Sequence, residues 1–184
     1  RGAVAASLWV AGRVCMWWPP HLLGTGSNAA LRPVCVAAPG LISIPTGCVF
    51  LVAIGSLWRG RIELAVPMLF CLAFLFNFLI GGISGVFVSD VPSDVTLHGS
   101  YFVLAHFHYT IMGGLVFAFF AGIYYWFPKM TGYRLNERLA KLHFWGMFLG
   151  FNGTFLPLFA AGLLDMPLRL ITSNVNLQGI NDFA

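Results

Sequence analysis

The sequence predicts an all-α, polytopic transmembrane helix bundle of about five spans. Three observations predict it. Of the 184 residues, 59% are hydrophobic and only 9% are charged, where soluble domains carry about 25% charged residues. The mean hydropathy is +0.84. Apolar stretches of the length that crosses a bilayer, about 20 residues, recur along the chain. Together these exclude a cytosolic enzyme, a nucleic-acid binder and a disordered tail, and they name the lipid bilayer as a partner.

The first span, 4–23, carries Arg13 and the adjacent Pro19 and Pro20, so its end near His21 is expected to kink or break. The second is 36–58. The third, 64–89, is the clearest, with no charged residue along its length. The fourth is 101–127 and the fifth 142–164. The loops are short, leaving no room for a soluble domain, and no internal repeat is present. Cys15, Cys35, Cys48 and Cys71 show no CxxC spacing and read as small hydrophobes, not as a disulfide or zinc set. No cleavable signal peptide is evident. The chain begins at Arg1 without Met, and the expectation is a piece of something longer.

Charge sorts the loops. Arg1, Arg59, Arg61, Lys129, Arg134, Arg138 and Lys141 fall on one side of the predicted spans, against Arg32 and Arg169 on the other. Basic residues concentrate on the cytoplasmic side, so the loop from Lys129 to Lys141 is expected to face the cytoplasm or matrix. Asp94, His98 and Arg169 then share the outer side.

Three of the five histidines, His98, His106 and His108, fall within eleven residues. His106 and His108 lie inside the fourth span, where ionisable groups are costly and mark function. Two helical residues turn through about 200°, so these rings point to opposite faces and do not share one metal. Zinc, which wants several converging ligands, is disfavoured. Imidazole is a usual axial ligand of haem iron, and one helix serving two haems needs this arrangement. The plainer reading is that each ring hydrogen-bonds a neighbouring helix. His143 reads as a solvated interfacial histidine with no site. The stripe Phe117, Phe119, Phe120, Tyr124, Tyr125, Trp126 and Phe127 reads as packing that ends in an interfacial belt.

The stretch HGSYFVLAHFHY, followed by YYWFPKMTGYRLNERLAKLHF, resembles subunit I of the haem–copper terminal oxidases, cytochrome c oxidases above all. SIPTG at 43–47, GGISG at 81–85 and MPLR at 166–169 match in the same order. The likeness runs almost ungapped from the first span to Arg169. It covers what would be helices seven to eleven of a twelve-helix subunit, making 1–184 a partial domain of that kind.

The resemblance implies roles residue by residue. His106 would be the proximal ligand of the high-spin, oxygen-reducing haem, and His108 an axial ligand of the low-spin haem, both of haem a type. Phe107 would lie on the short electron route between them. His98 and Asp94 match positions near the haem propionates and a magnesium site. The family follows that histidine with Asp, however, and Gly99 here removes a hard oxygen ligand. Arg169 matches the second of two propionate-binding arginines. Leu168 replaces the first, although one guanidinium still offers a bidentate fork. His21 would be a copper ligand, with Pro20 standing where the family has a second histidine. Thr46 matches a lysine-containing proton path whose lysine falls at Val49.

The function so implied is part of the catalytic subunit of a respiratory terminal oxidase. Electrons pass from cytochrome c through haem, and O2 is reduced to water with proton translocation. The chain alone is expected to be inactive. It would work with other oxidase subunits, especially a copper-bearing subunit II, in a bacterial plasma membrane or the mitochondrial inner membrane. One alternative is a quinol oxidase subunit I, because Phe159 stands where cytochrome c oxidases more often have His. Another is a non-catalytic or degenerate haem-carrying subunit, suggested by Pro20, Val49 and Gly99. A transporter is disfavoured by the lack of intramembrane Asp, Glu or Lys.

Overall fold

The computed structural model describes residues 4, 5, 8, 32–164 and 166–168. Most of the predicted first span, with Pro20 and His21, lies outside the described residues, as does Arg169. The helices are α1 (Arg32–Leu57), α2 (Val66–Ser89), the short α3 (Val91–Leu97), α4 (Tyr101–Thr110), α5 (Phe117–Thr131) and α6 (Glu137–Leu163). A π-helical segment, Ile111–Val116, joins α4 to α5. Among the described residues there is no strand, only an isolated antiparallel bridge between Ser100 and Pro167.

Among the described residues, four stretches are long and apolar enough to cross a membrane: Gly40–Leu57, Val66–Ser89, Tyr101–Thr131 and Glu137–Leu163. The chain is an integral membrane protein. These helices correspond to the second to fifth predicted spans, with shifted ends. The fourth runs past 127 because Pro128 is accommodated inside α5, which stops at Gly132 in the left-handed region, φ 76°. That conformation suits glycine at a helix C-terminus. The fifth begins at Glu137, earlier than expected, because the Asn136 side chain accepts hydrogen bonds from the Arg138 and Leu139 amides at 3.0 and 3.2 Å. This is an N-cap that a hydropathy window does not see. An exposed Glu137–Lys141 ion pair at 3.0 Å follows on the first turn.

Contacts divide the chain into two units, one of Arg1–Arg61 with Val86–Asp94 and one of Ile62–Gly85 with Val95–Ala184. The first holds α1, a helix with most of its described side chains exposed and Ile42 buried. The second holds the core. Its centre is Phe70 of α2, fully buried. Phe70 meets Phe117, Phe120 and Tyr124 of α5 at ring-centroid distances of 5.8, 5.7 and 5.5 Å, and Phe144 of α6 edge-on at 5.1 Å. Phe119, Tyr125, Trp126 and Phe127 of the same stripe are exposed, so the aromatic run divides between core and outer surface. Offset, tilted and edge-on contacts are the favoured geometries for rings, and this mainly apolar cluster packs three helices together.

Candidate functional site

Of the described candidate residues, His106, Phe107 and His108 stand on α4, His98 in the turn before it and Asp94 on α3. Ser100 caps α4, accepting a hydrogen bond from the Phe102 amide at 3.2 Å. Just before it, Gly99 takes φ 77°, a left-handed conformation that glycine adopts without strain. Its carbonyl accepts the Leu168 amide at 2.7 Å, while the Tyr101 amide donates to the Met166 carbonyl at 3.1 Å. Two backbone bonds thus fasten the start of α4 to the segment after α6.

His106 turns toward α2. Its Nδ1 lies 3.0 Å from the Gly81 carbonyl oxygen and 3.0 Å from the Ser84 hydroxyl. A carbonyl only accepts, so a hydrogen bond to Gly81 puts the proton on Nδ1 and leaves the ring's lone pair on Nε2. The ring seats against α2 because position 85 is glycine: a Cβ there would stand 2.9 Å from His106 Cε1. Gly81, Ser84 and Gly85 are three and four residues apart, one face of one helix, which gives the GGISG segment a physical reason.

His108 turns toward α6. Its Nδ1 donates to the Leu104 carbonyl at 2.8 Å, which again leaves the lone pair on Nε2. Its ring stacks on Phe155 at 4.1 Å. The expected opposition of the two histidines is therefore met by different partner helices. The plainer reading also holds in part, since His106 bonds across to α2, whereas His108 bonds within its own helix. Phe107 sits between them, exposed, its ring centroid 4.2 Å from that of His108.

Metal-ligating histidines characteristically fix their second nitrogen on a carbonyl or carboxylate, which sets both tautomer and orientation. Both rings are arranged in this way, and this donor set fits axial ligation of haem iron. For magnesium, the described residues offer His98 in an exposed turn followed by a glycine that brings no side-chain oxygen. This set does not fit a hard cation. Asp94 is buried on α3 and belongs to the other unit. Among the described residues, no three His, Cys, Asp or Glu side chains group to hold a metal. His21, the expected copper ligand, and Arg169, the expected propionate partner, lie outside the described residues.

Several residues escaped sequence reasoning. Tyr109, fully buried, donates its hydroxyl to Asn152 Oδ1 at 2.8 Å, and Asn152 Nδ2 donates to the Phe148 carbonyl at 2.9 Å. Asn77 is also fully buried. Both asparagines stand in apolar helices, where a lone amide signals an interhelical contact. His143 corrects an expectation: it is half-buried, lies 3.0 Å from the Tyr124 hydroxyl, and packs against the Phe70 and Phe120 rings at 5.5 and 4.8 Å. Aromatic neighbours from two other helices take the place of solvent.

The whole chain, residues 1–184, matches the family described as Cytochrome C and Quinol oxidase polypeptide I. It is 44% identical over 164 residues to a cytochrome c oxidase subunit 1 of Synechocystis sp., covering 89% of this chain and 30% of that protein. It is 47% identical over 166 residues to a probable cytochrome c oxidase subunit 1-beta of Nocardia farcinica, covering 90% of this chain and 28% of that protein. It is 46% identical over 155 residues to a probable quinol oxidase subunit 1 of Staphylococcus aureus, covering 84% of this chain and 23% of that protein. The chain thus spans less than a third of the length of these relatives.

Proposed function

The chain belongs to the cytochrome c and quinol oxidase polypeptide I family, and from that premise we propose that it forms the haem-ligating part of a terminal oxidase's catalytic subunit. The complete complex would take electrons from cytochrome c, reduce O2 to water and move protons across the membrane. One observation carries the reading: the two imidazoles of α4 leave for different helices, each with Nδ1 held on a carbonyl.

Haem, when bound, supplies the one-electron and oxygen chemistry. The chain supplies geometry. With Nδ1 held on a carbonyl in each ring, His106 Nε2 would hold the iron of a high-spin haem and His108 Nε2 that of a low-spin haem, both of haem a type. Because both stand on α4, two residues apart, the helix fixes the separation of the two sites and needs no moving part. Phe107, between the two ligands, gives an apolar, polarisable contact on the short route from one to the other. By family resemblance, Arg169 and His98 would hold the haem propionates and His21 would be one copper ligand. A copper-bearing subunit II and further oxidase subunits complete the assembly.

A second reading, quinol as the electron donor, is favoured by Phe159 and by the similarity to the Staphylococcus aureus protein. Presence of a copper-bearing redox domain in the partner subunit decides for cytochrome c, and its absence for quinol. The haem-ligating reading is tested by a reduced-minus-oxidised optical spectrum of the purified complex, with and without carbon monoxide. Separate low-spin and carbon-monoxide-reactive signals are expected. A complex with only one haem signal would overturn the reading.

A further inference from the structure

We propose that Ser84 is a positioning residue for His106. Its hydroxyl grips the Nδ1 edge of the imidazole and so sets how strongly Nε2 donates to the high-spin haem iron. This rests on His106 being that iron's ligand, and it assigns to the chain a determinant of haem chemistry that touches no haem.

Ser84 is buried, 5% exposed, and stands on α2, far from His106 in sequence. Its Oγ donates to the Gly81 carbonyl at 2.9 Å and lies 3.0 Å from His106 Nδ1. A hydroxyl has one proton and two lone pairs. With that proton directed at Gly81, a lone pair faces the ring. The imidazole N–H is then shared between two acceptors, the hydroxyl and the carbonyl, which are themselves bonded to each other. Acceptors behind a ligating histidine raise its basicity toward the metal.

The hydroxyl has a second orientation, with its proton aimed at Nδ1. That arrangement requires the histidine proton on Nε2, the atom that ligates iron. Ligation therefore selects one orientation of the Ser84 hydroxyl, and the selected one strengthens the ligand. In Ser84→Ala the Gly81 carbonyl remains within reach, so the ring keeps one acceptor and loses the other.

The test uses the complete oxidase complex and resonance Raman spectroscopy of its reduced high-spin haem, reading the iron–imidazole stretching band. His106→Gly should abolish the native band, and added imidazole should restore a band at the vacated position. Survival of the native band in His106→Gly would overturn the assignment of His106 itself. Once that control passes, Ser84→Ala should shift the band to lower frequency, and Ser84→Thr, which keeps the hydroxyl, should leave it in place. An unchanged or raised frequency in Ser84→Ala overturns the role of Ser84 and leaves the ligand assignment standing. Ser84→Cys, with a weakly accepting sulfur of similar size, is the second variant and should also lower the frequency. Retention of the native frequency there would count against the proposal in the same way.

Discussion

The imidazole of His108 lies nearly parallel to the ring of Phe155, with planes 16° apart and centroids 4.1 Å apart. A neighbouring bond, Tyr109 to Asn152, joins the same two helices. α6 therefore steers the His108 ring through a flat apolar contact and locks the helix pair through a polar one. Stacks of this kind contribute about 0.5–1.5 kcal/mol beyond area burial. Phe155→Leu, which keeps bulk and removes the flat face, should shift or broaden the low-spin haem band while the carbon-monoxide difference spectrum stays unchanged. Equal disturbance of both signals would mean that Phe155 acts on the bundle and not on His108.

The opposition of the two histidines predicts separable losses. His106→Ala should remove the carbon-monoxide-reactive haem and leave the low-spin haem largely in place. His108→Ala should do the reverse. Loss of both signals from either variant in an assembled complex would refute two separate sites.

Gly85 is expected to resist enlargement. A methyl group there would stand 2.9 Å from His106 Cε1, against a ring pinned at Nδ1 by two partners. Overpacking typically costs about 1–3 kcal/mol. Gly85→Ala should lower the content of carbon-monoxide-reactive haem and spare the low-spin haem, as measured by the same difference spectra.

Asn77 makes a prediction of the opposite sign. Its side chain is fully buried, and neither amide atom has a hydrogen-bond partner among the described residues. An unsatisfied buried polar group costs about 1–3 kcal/mol, and leucine has a similar branched shape without the polar atoms. Asn77→Leu should raise the thermal midpoint of the solubilised complex. A lower midpoint would overturn the view that the amide is a net cost at this position.

Basic residues predict the orientation. The linker between α5 and α6, with Arg134 inside it and Lys129, Arg138 and Lys141 flanking it, should face the cytoplasm or matrix. In sealed membranes, protease added from the outer face should leave it intact. Cleavage from that face would reverse the topology.

Much of the fold was legible because each span is a long local signal. The α2 stretch has no charge from residue 64 to 89, and hydropathy alone finds it. The opposed histidines were legible too, since rotation along one helix depends only on spacing. What sequence could not expose depends on which face of one helix meets another. Ser84 and His106 are neighbours because α2 presents the 81–84–85 face to α4. His143 was misread because Phe70, which covers it, comes from a helix distant in sequence. The π-helical segment had no composition signature. Its glycines, Gly113 and Gly114, are explained by Asn77 and Phe78, against which any side chain there would collide.

That segment also keeps two sets of contacts in phase. A π turn holds one residue more than an α turn, and each residue swings a helix by about 100°. Upstream, His106 and Tyr109 must meet α2 and α6; downstream, Phe117, Phe120 and Tyr124 must meet Phe70. Carried through as unbroken α-helix with the same residues, the two sets would be misaligned by that one step. Ile111–Val116 absorbs the surplus residue, like a slack link in a chain. It follows that a single-residue deletion within 111–116 would tighten the helix to plain α with both faces still seated. The same deletion elsewhere between 101 and 131 would swing one set of contacts off its partners.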